Sequence, residues 1–90
     1  MNPADTDQVR VSILRYLQAA GPRGLTADVL MASLNDEGWQ VSAVDTSTQT
    51  HYLMQRGLVL QRVRDVDRAR PRWAITADGM DALVHEQSET

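Results

Sequence analysis

The run Leu53-Met54-Gln55-Arg56-Gly57-Leu58-Val59-Leu60-Gln61-Arg62-Val63 decides how this chain of 90 residues folds. Up to Arg56 it reads as the end of a helix, Gly57 supplies the backbone freedom at which helices stop, and Leu58 to Val63 is rich in β-formers. Helix gives way to strand within two residues. A second strand follows in Arg72-Trp73-Ala74-Ile75-Thr76, where Trp73 and Ile75 alternate onto one face. Between the two lies Arg64-Asp65-Val66-Asp67-Arg68-Ala69-Arg70-Pro71, a polar segment ending in a proline that cannot donate to a central ladder. The expectation is a hairpin over 58–76 with a long polar tip.

Upstream, Ser42 with Asp45 three positions on resembles a capping box and starts a helix over 43–56. From Asp45 to His51 this helix is entirely polar, built from residues that are moderate helix formers; one needed only for packing would use Ala, Glu and Lys there. Trp39 and Val41, just before it, read as turn residues tucked into the core. Val9, Ile13, Leu17 and Ala20, with Leu14 beside them, form an apolar stripe at helical period over Asp5 to Ala20, which Thr6 or Asp5 can cap and Gly21-Pro22 stops. Leu25 reads as a single buried extended residue. Thr26 then caps a second helix carrying Val29, Leu30, Met31 and Leu34, which ends near Asn35 to Gly38. Thr76 caps a last helix, Ala77 to about His85, with Met80, Leu83 and Val84 as its apolar contacts.

Apolar residues make up 42% of the chain and charged residues 23%, the balance of a folded globular domain rather than a disordered one. The length suits one domain over 1–90, with an ordered core of about 6–85. Absence of cysteine excludes disulfides, thiolate metal sites and thiol nucleophiles, so neither metal nor cofactor is expected. No apolar run approaches the roughly 20 residues of a membrane span, and the start shows no secretory pattern, so the expected location is the cytoplasm. No Ser/His/Asp spacing, glycine-rich phosphate loop or His-x-x-x-His pair is present, so no enzyme is expected.

Net charge is -3, yet all nine basic residues are arginine and six of them fall between Arg56 and Arg72, against only Asp65 and Asp67. Such asymmetry is a local footprint for an anionic partner on a body kept soluble by its acids; the plain alternative is a solvated hairpin whose arginines pair with nearby aspartates.

The stretch Leu53 to Val59, the arginine-bearing hairpin and Trp73-Ala74-Ile75-Thr76-Ala77-Asp78-Gly79-Met80 together resemble the winged helix-turn-helix transcription regulators. In those, Gly-Leu-Val ends the recognition helix and an aromatic-x-Ile/Leu-Thr-x-x-Gly run joins the wing to the last helix. The resemblance covers about Val9 to Val84. It implies an α+β, mostly α fold: a three-helix core, a two-stranded β wing and a C-terminal helix. It implies double-stranded DNA as partner, with helix 43–56 in the major groove and the wing over 58–76 on the backbone or minor groove. Carried onto this chain, Ser47, Thr48, Gln49, His51 and Arg56 become the helix contacts, and Arg64, Arg68, Arg70 and Arg72 the wing contacts.

Family members hold branched apolar residues where this chain has Thr46, Gln49 and Thr50. Asp45 repels phosphate and reads as a cap partner. His51 has a packing reading beside its base-reading one, Trp39 and Trp73 read as core, and Tyr52 has a ring to bury and a hydroxyl free to reach backbone or phosphate. A homodimer through helix 1 or the terminal helix would double the arginine footprint on an inverted repeat. The alternative function is a protein-docking module on the same scaffold.

Overall fold

A computed structural model of the chain describes residues 3–63 and 70–88. The order is α1 (Pro3–Ala20), a 3-10 turn (Gly21–Arg23), β1 (Leu25–Thr26), α2 (Ala27–Glu37), α3 (Ala43–Gln55), β2 (Val59–Arg62), β3 (Arg72–Ile75) and α4 (Ala77–Ser88). Every element anticipated from periodicity and caps is present. Some boundaries differ: α1 already starts at Pro3, so Asp5 and Thr6 lie inside it rather than capping it; α3 stops at Gln55 with Arg56 as its cap; the strands begin at Val59 and end at Ile75; and α4 continues to Ser88, beyond His85.

The apolar stripe of α1 is the spine of the core. Val9, Ile13 and Leu17 are fully buried, and Leu30 and Leu34 of α2, Leu53 of α3 and Leu83 of α4 close around them. Val59, Trp73 and Ile75 cover the same cluster from the strands, and Val41 seals it beside a partly buried Trp39. Each fully buried aliphatic side chain contributes about 1.5–3 kcal/mol, so the α1 stripe organises the whole domain. Asn35 holds the turn between α2 and α3 by donating from Nδ2 to the Val41 carbonyl (3.3 Å) and accepting from the Val41 amide (3.0 Å).

The sheet has three antiparallel strands in the order β1-β3-β2, one more than the expected two-stranded wing. Leu25 and Thr26 are both extended and pair with Trp73 and Arg72. Gly24 makes this possible: its φ is +70°, and a Cβ there would collide with the Trp73 carbonyl.

The two halves of the motif that suggested the fold meet in space. The Thr76 amide donates to the Leu58 carbonyl (3.1 Å), and the Thr76 hydroxyl donates to the Gly57 carbonyl (2.7 Å) while accepting from the Gly79 amide (3.0 Å). Gly79 packs so closely that a Cβ would run into the Leu58 carbonyl oxygen. One clasp therefore joins the end of α3, both ends of the hairpin and the start of α4.

Candidate nucleic-acid interface

The expected capping box is formed: the Asp45 amide donates to Ser42 Oγ (3.0 Å) and the Ser42 amide to Asp45 Oδ2 (3.1 Å). Asp45 is thus committed to starting α3.

The inward face of α3 is Thr46, Gln49, Thr50 and Leu53, all buried. The outward placement expected of Gln49 does not hold: only 6% of it is exposed. Burying three polar side chains is tolerated because each finds a partner. Thr46 Oγ1 donates to the Ser42 carbonyl (3.0 Å) and Thr50 Oγ1 to the Ser47 carbonyl (2.9 Å), inside the helix itself. Gln49 is satisfied from another element, its Oε1 accepting from Arg10 Nε on α1 at 2.7 Å. The Arg10 guanidinium also lies 3.5 Å from the centre of the Tyr52 ring and 3.7 Å from Asp7. The positions where the resembling family carries branched apolar residues are therefore still the seat of this helix, made here from polar groups.

The outward edge follows at spacings of four, three and four: Val44, Thr48, His51 and Gln55. Val44 is 74% exposed, an apolar side chain on an otherwise polar edge. Neither it nor Gln55 was anticipated, although both lie at helical spacing from Thr48 and His51. Ser47 is half-buried beside this edge, and Arg56 is exposed at its end, its guanidinium 5.9 Å from the Tyr52 ring centre. His51 Nδ1 lies 2.8 Å from the Ser47 carbonyl, which only accepts, so Nδ1 carries the proton and Nε2 of the neutral ring is an acceptor. The same ring meets Trp73 edge to face at 5.3 Å between centroids, so the packing reading of His51 holds while the residue stays exposed.

In the wing, Arg70 is exposed and Arg72 half-buried; Arg64 and Arg68 lie outside the described residues. Arg62, to which the sequence assigned no contact, stands directly opposite Arg72 across the β2–β3 ladder. Arg23, also unassigned, joins these two in lining one hollow. The ion pairs among the described residues are made elsewhere, by arginines of α1: Arg10 with Asp7 on the same helix, and Arg15 with Glu37 at the end of α2 at 3.6 Å.

Around Arg15 a second polar cluster ties α1 to the end of α2. Buried Ser12 donates to Glu37 Oε1 (3.2 Å), and the Tyr16 hydroxyl donates to Glu37 Oε2 (2.5 Å). That bond first, then burial and the Glu37 charge, hold the Tyr16 phenol above its ordinary pKa. Trp39 Nε1 is buried with no hydrogen-bond partner among the described residues. Among those residues no helix is long and apolar enough to cross a membrane, and no group of three or more His, Asp or Glu could hold a metal ion.

No protein-family model matches the chain, and no curated protein matches it. Solved structures do. S. aureus MepR in a MepR–DNA complex is similar over 94% of this chain, with TM-score 0.77 and 21% identity, covering 66% of the MepR chain. A MepR mutant bound to an oligodeoxyribonucleotide gives TM-score 0.73 and 21% identity over 90% of this chain and 57% of that one. A further MepR mutant gives 0.75 and 22% over 88% and 54%. The chain thus spans 54 to 66% of the length of these structures. What the likeness shows is the fold: three helices, a sheet-borne wing and a closing helix in the winged helix-turn-helix arrangement.

Proposed function

We propose that this chain binds double-stranded DNA sequence-selectively, as the DNA-reading part of a transcription regulator. One observation carries the reading. In a chain of net charge -3, the described arginines at the end of α3 and in the wing form no ion pair among the described residues, and they flank a helix edge with no charge of its own. That S. aureus MepR, of the same fold, is known in complex with DNA supports it.

In this reading α3 enters the major groove. Thr48 and Ser47 offer hydroxyls to base edges, the Thr48 and Val44 methyls suit a thymine methyl, and His51 Nε2 accepts from an exocyclic amine of adenine or cytosine. Gln49 leaves the list of base readers and becomes the residue through which α1 positions the helix. Arg56, Arg70 and Arg72, with Arg64 and Arg68, take phosphates or the minor groove. A homodimer is part of the proposal: Met80 and Val84, one turn apart on α4, are exposed apolar side chains suited to a self-interface.

The test is fluorescence anisotropy against a pool of random duplexes at low and physiological salt, followed by selection and sequencing of the retained DNA. The expected result is salt-dependent binding with an enriched motif. In that motif Thr48→Ala relaxes preference at one position by about 1–3 kcal/mol. Absence of binding at low salt overturns the reading and leaves the docking module; light scattering that shows only monomer removes the dimer.

A further inference from the structure

On the outer face of the sheet, at the root of the wing, Arg23, Arg62, Val63 and Arg72 line a hollow of about 620 Å³. Strand alternation turns Val59, Trp73 and Ile75 toward the core, so Arg62 and Arg72, which alternate with them, face away from it. These two are direct cross-strand partners, and like charges directly opposite one another destabilise a sheet. Arg23 ends the 3-10 turn, and the close seat of Gly24 on the Trp73 carbonyl holds that turn against β3. Three guanidinium groups therefore share one hollow, and among the described residues no acid lines it. None of the three has an ion pair among the described residues, whereas Arg10 and Arg15 on α1 both do.

Such an arrangement costs the folded chain stability unless an anion enters. Guanidinium forks are matched in shape and charge to the oxygens of a phosphate group, which several can bind together. We propose that Arg23, Arg62 and Arg72 form a phosphate-binding site, separate from the α3 edge. Two sources present the same chemistry: a backbone phosphate of DNA lying along the wing, or a phosphate carried by a small molecule. The first source rests on the DNA reading above; the site itself does not.

The experiment follows the arginine Nε–H resonances by NMR during titration with inorganic phosphate at constant ionic strength, and separately with a short random-sequence duplex. Saturable shifts confined to Arg23, Arg62 and Arg72 are expected, and Arg62→Gln should weaken phosphate binding on the order of tenfold, the loss of one charge-assisted contact. If the duplex moves the same resonances and phosphate competes with it, DNA is the source. The slope of log affinity against log salt then falls by about 0.9 in Arg62→Gln, one phosphate contact. If phosphate saturates and the duplex leaves these resonances still, the source is a small molecule. A duplex that does not bind at all, beside saturable phosphate, removes the DNA reading and keeps the site.

Thermal unfolding without ligand is the second measurement. Relief of like-charge contact should leave Arg62→Gln at least as stable as the parent, and a given concentration of phosphate should raise the parent's Tm more than the variant's. Shifts that grow linearly with phosphate and spread equally to Arg15 overturn the proposal, as does an Arg62→Gln chain that loses stability without ligand.

Discussion

The arginines of α1 and those of the wing root are the same side chain used for opposite ends. Arg10 meets Asp7, the Tyr52 ring and the Gln49 amide oxygen, and Arg15 meets Glu37 and Ser12. Arg23, Arg62 and Arg72 face a hollow that, among the described residues, is lined by one another and Val63. An arginine whose charge and donors are satisfied within the fold acts on the fold. One kept beside its own kind, with no ion pair among the described residues, is placed to act on something else. The contrast sorts the residues of an acidic chain more finely than net charge does.

The sharpest attempt to break that contrast is Arg10→Ala. It leaves the Gln49 oxygen buried without its donor and removes the cover of Tyr52, so a loss of about 2 kcal/mol is expected, or roughly 8–16 °C in Tm for a domain of this size. An unchanged Tm would mean that the paired arginines are no more structural than the unpaired ones. A double-mutant cycle sharpens it: Arg10→Met with Gln49→Leu should recover about 1 kcal/mol relative to the sum of the singles, because both ends of the bond leave together. For the wing the signs reverse. Arg70→Ala should change stability by less than about 0.5 kcal/mol, yet lower the salt slope of duplex binding by about 0.9, read by anisotropy across a salt series.

The smallest effect is in alkali. The Tyr16 phenol is raised in the fold by its bond to Glu37, so its contribution is complete below the ordinary tyrosine pKa of about 10 and is lost as pH climbs through the higher folded value. Unfolding midpoints should therefore fall more steeply above about pH 10 in the parent than in Tyr16→Phe. Parallel curves would remove the Tyr16–Glu37 bond from the ties between α1 and the end of α2.

Most of this was legible along the chain. The stripe Val9, Ile13, Leu17, the Ser42–Asp45 box and the Thr76 cap are local patterns, and local patterns survive into the fold. The face of α3 was not, because periodicity is counted in apolar residues and its buried face is polar. What turns Gln49 inward is a donor 39 residues away, which no window along the chain contains. The same holds for Arg23: the pairing of Leu25 and Thr26 with β3 brings it beside Arg62 and Arg72, and two extended residues are too short a signal to announce a strand.

The clasp at Leu58 has a wider consequence. The chain departs for the hairpin at the same carbonyl to which it comes back, held there by Thr76 and shielded by Gly79. Material inserted between Arg62 and Arg72 would therefore leave the anchoring geometry of the three helices untouched. The stretch between Arg62 and Arg72 is an interchangeable part on a fixed mount of core-bound strands, and relatives of this chain could diverge in reach and grip by exchanging it while the body they share stays the same.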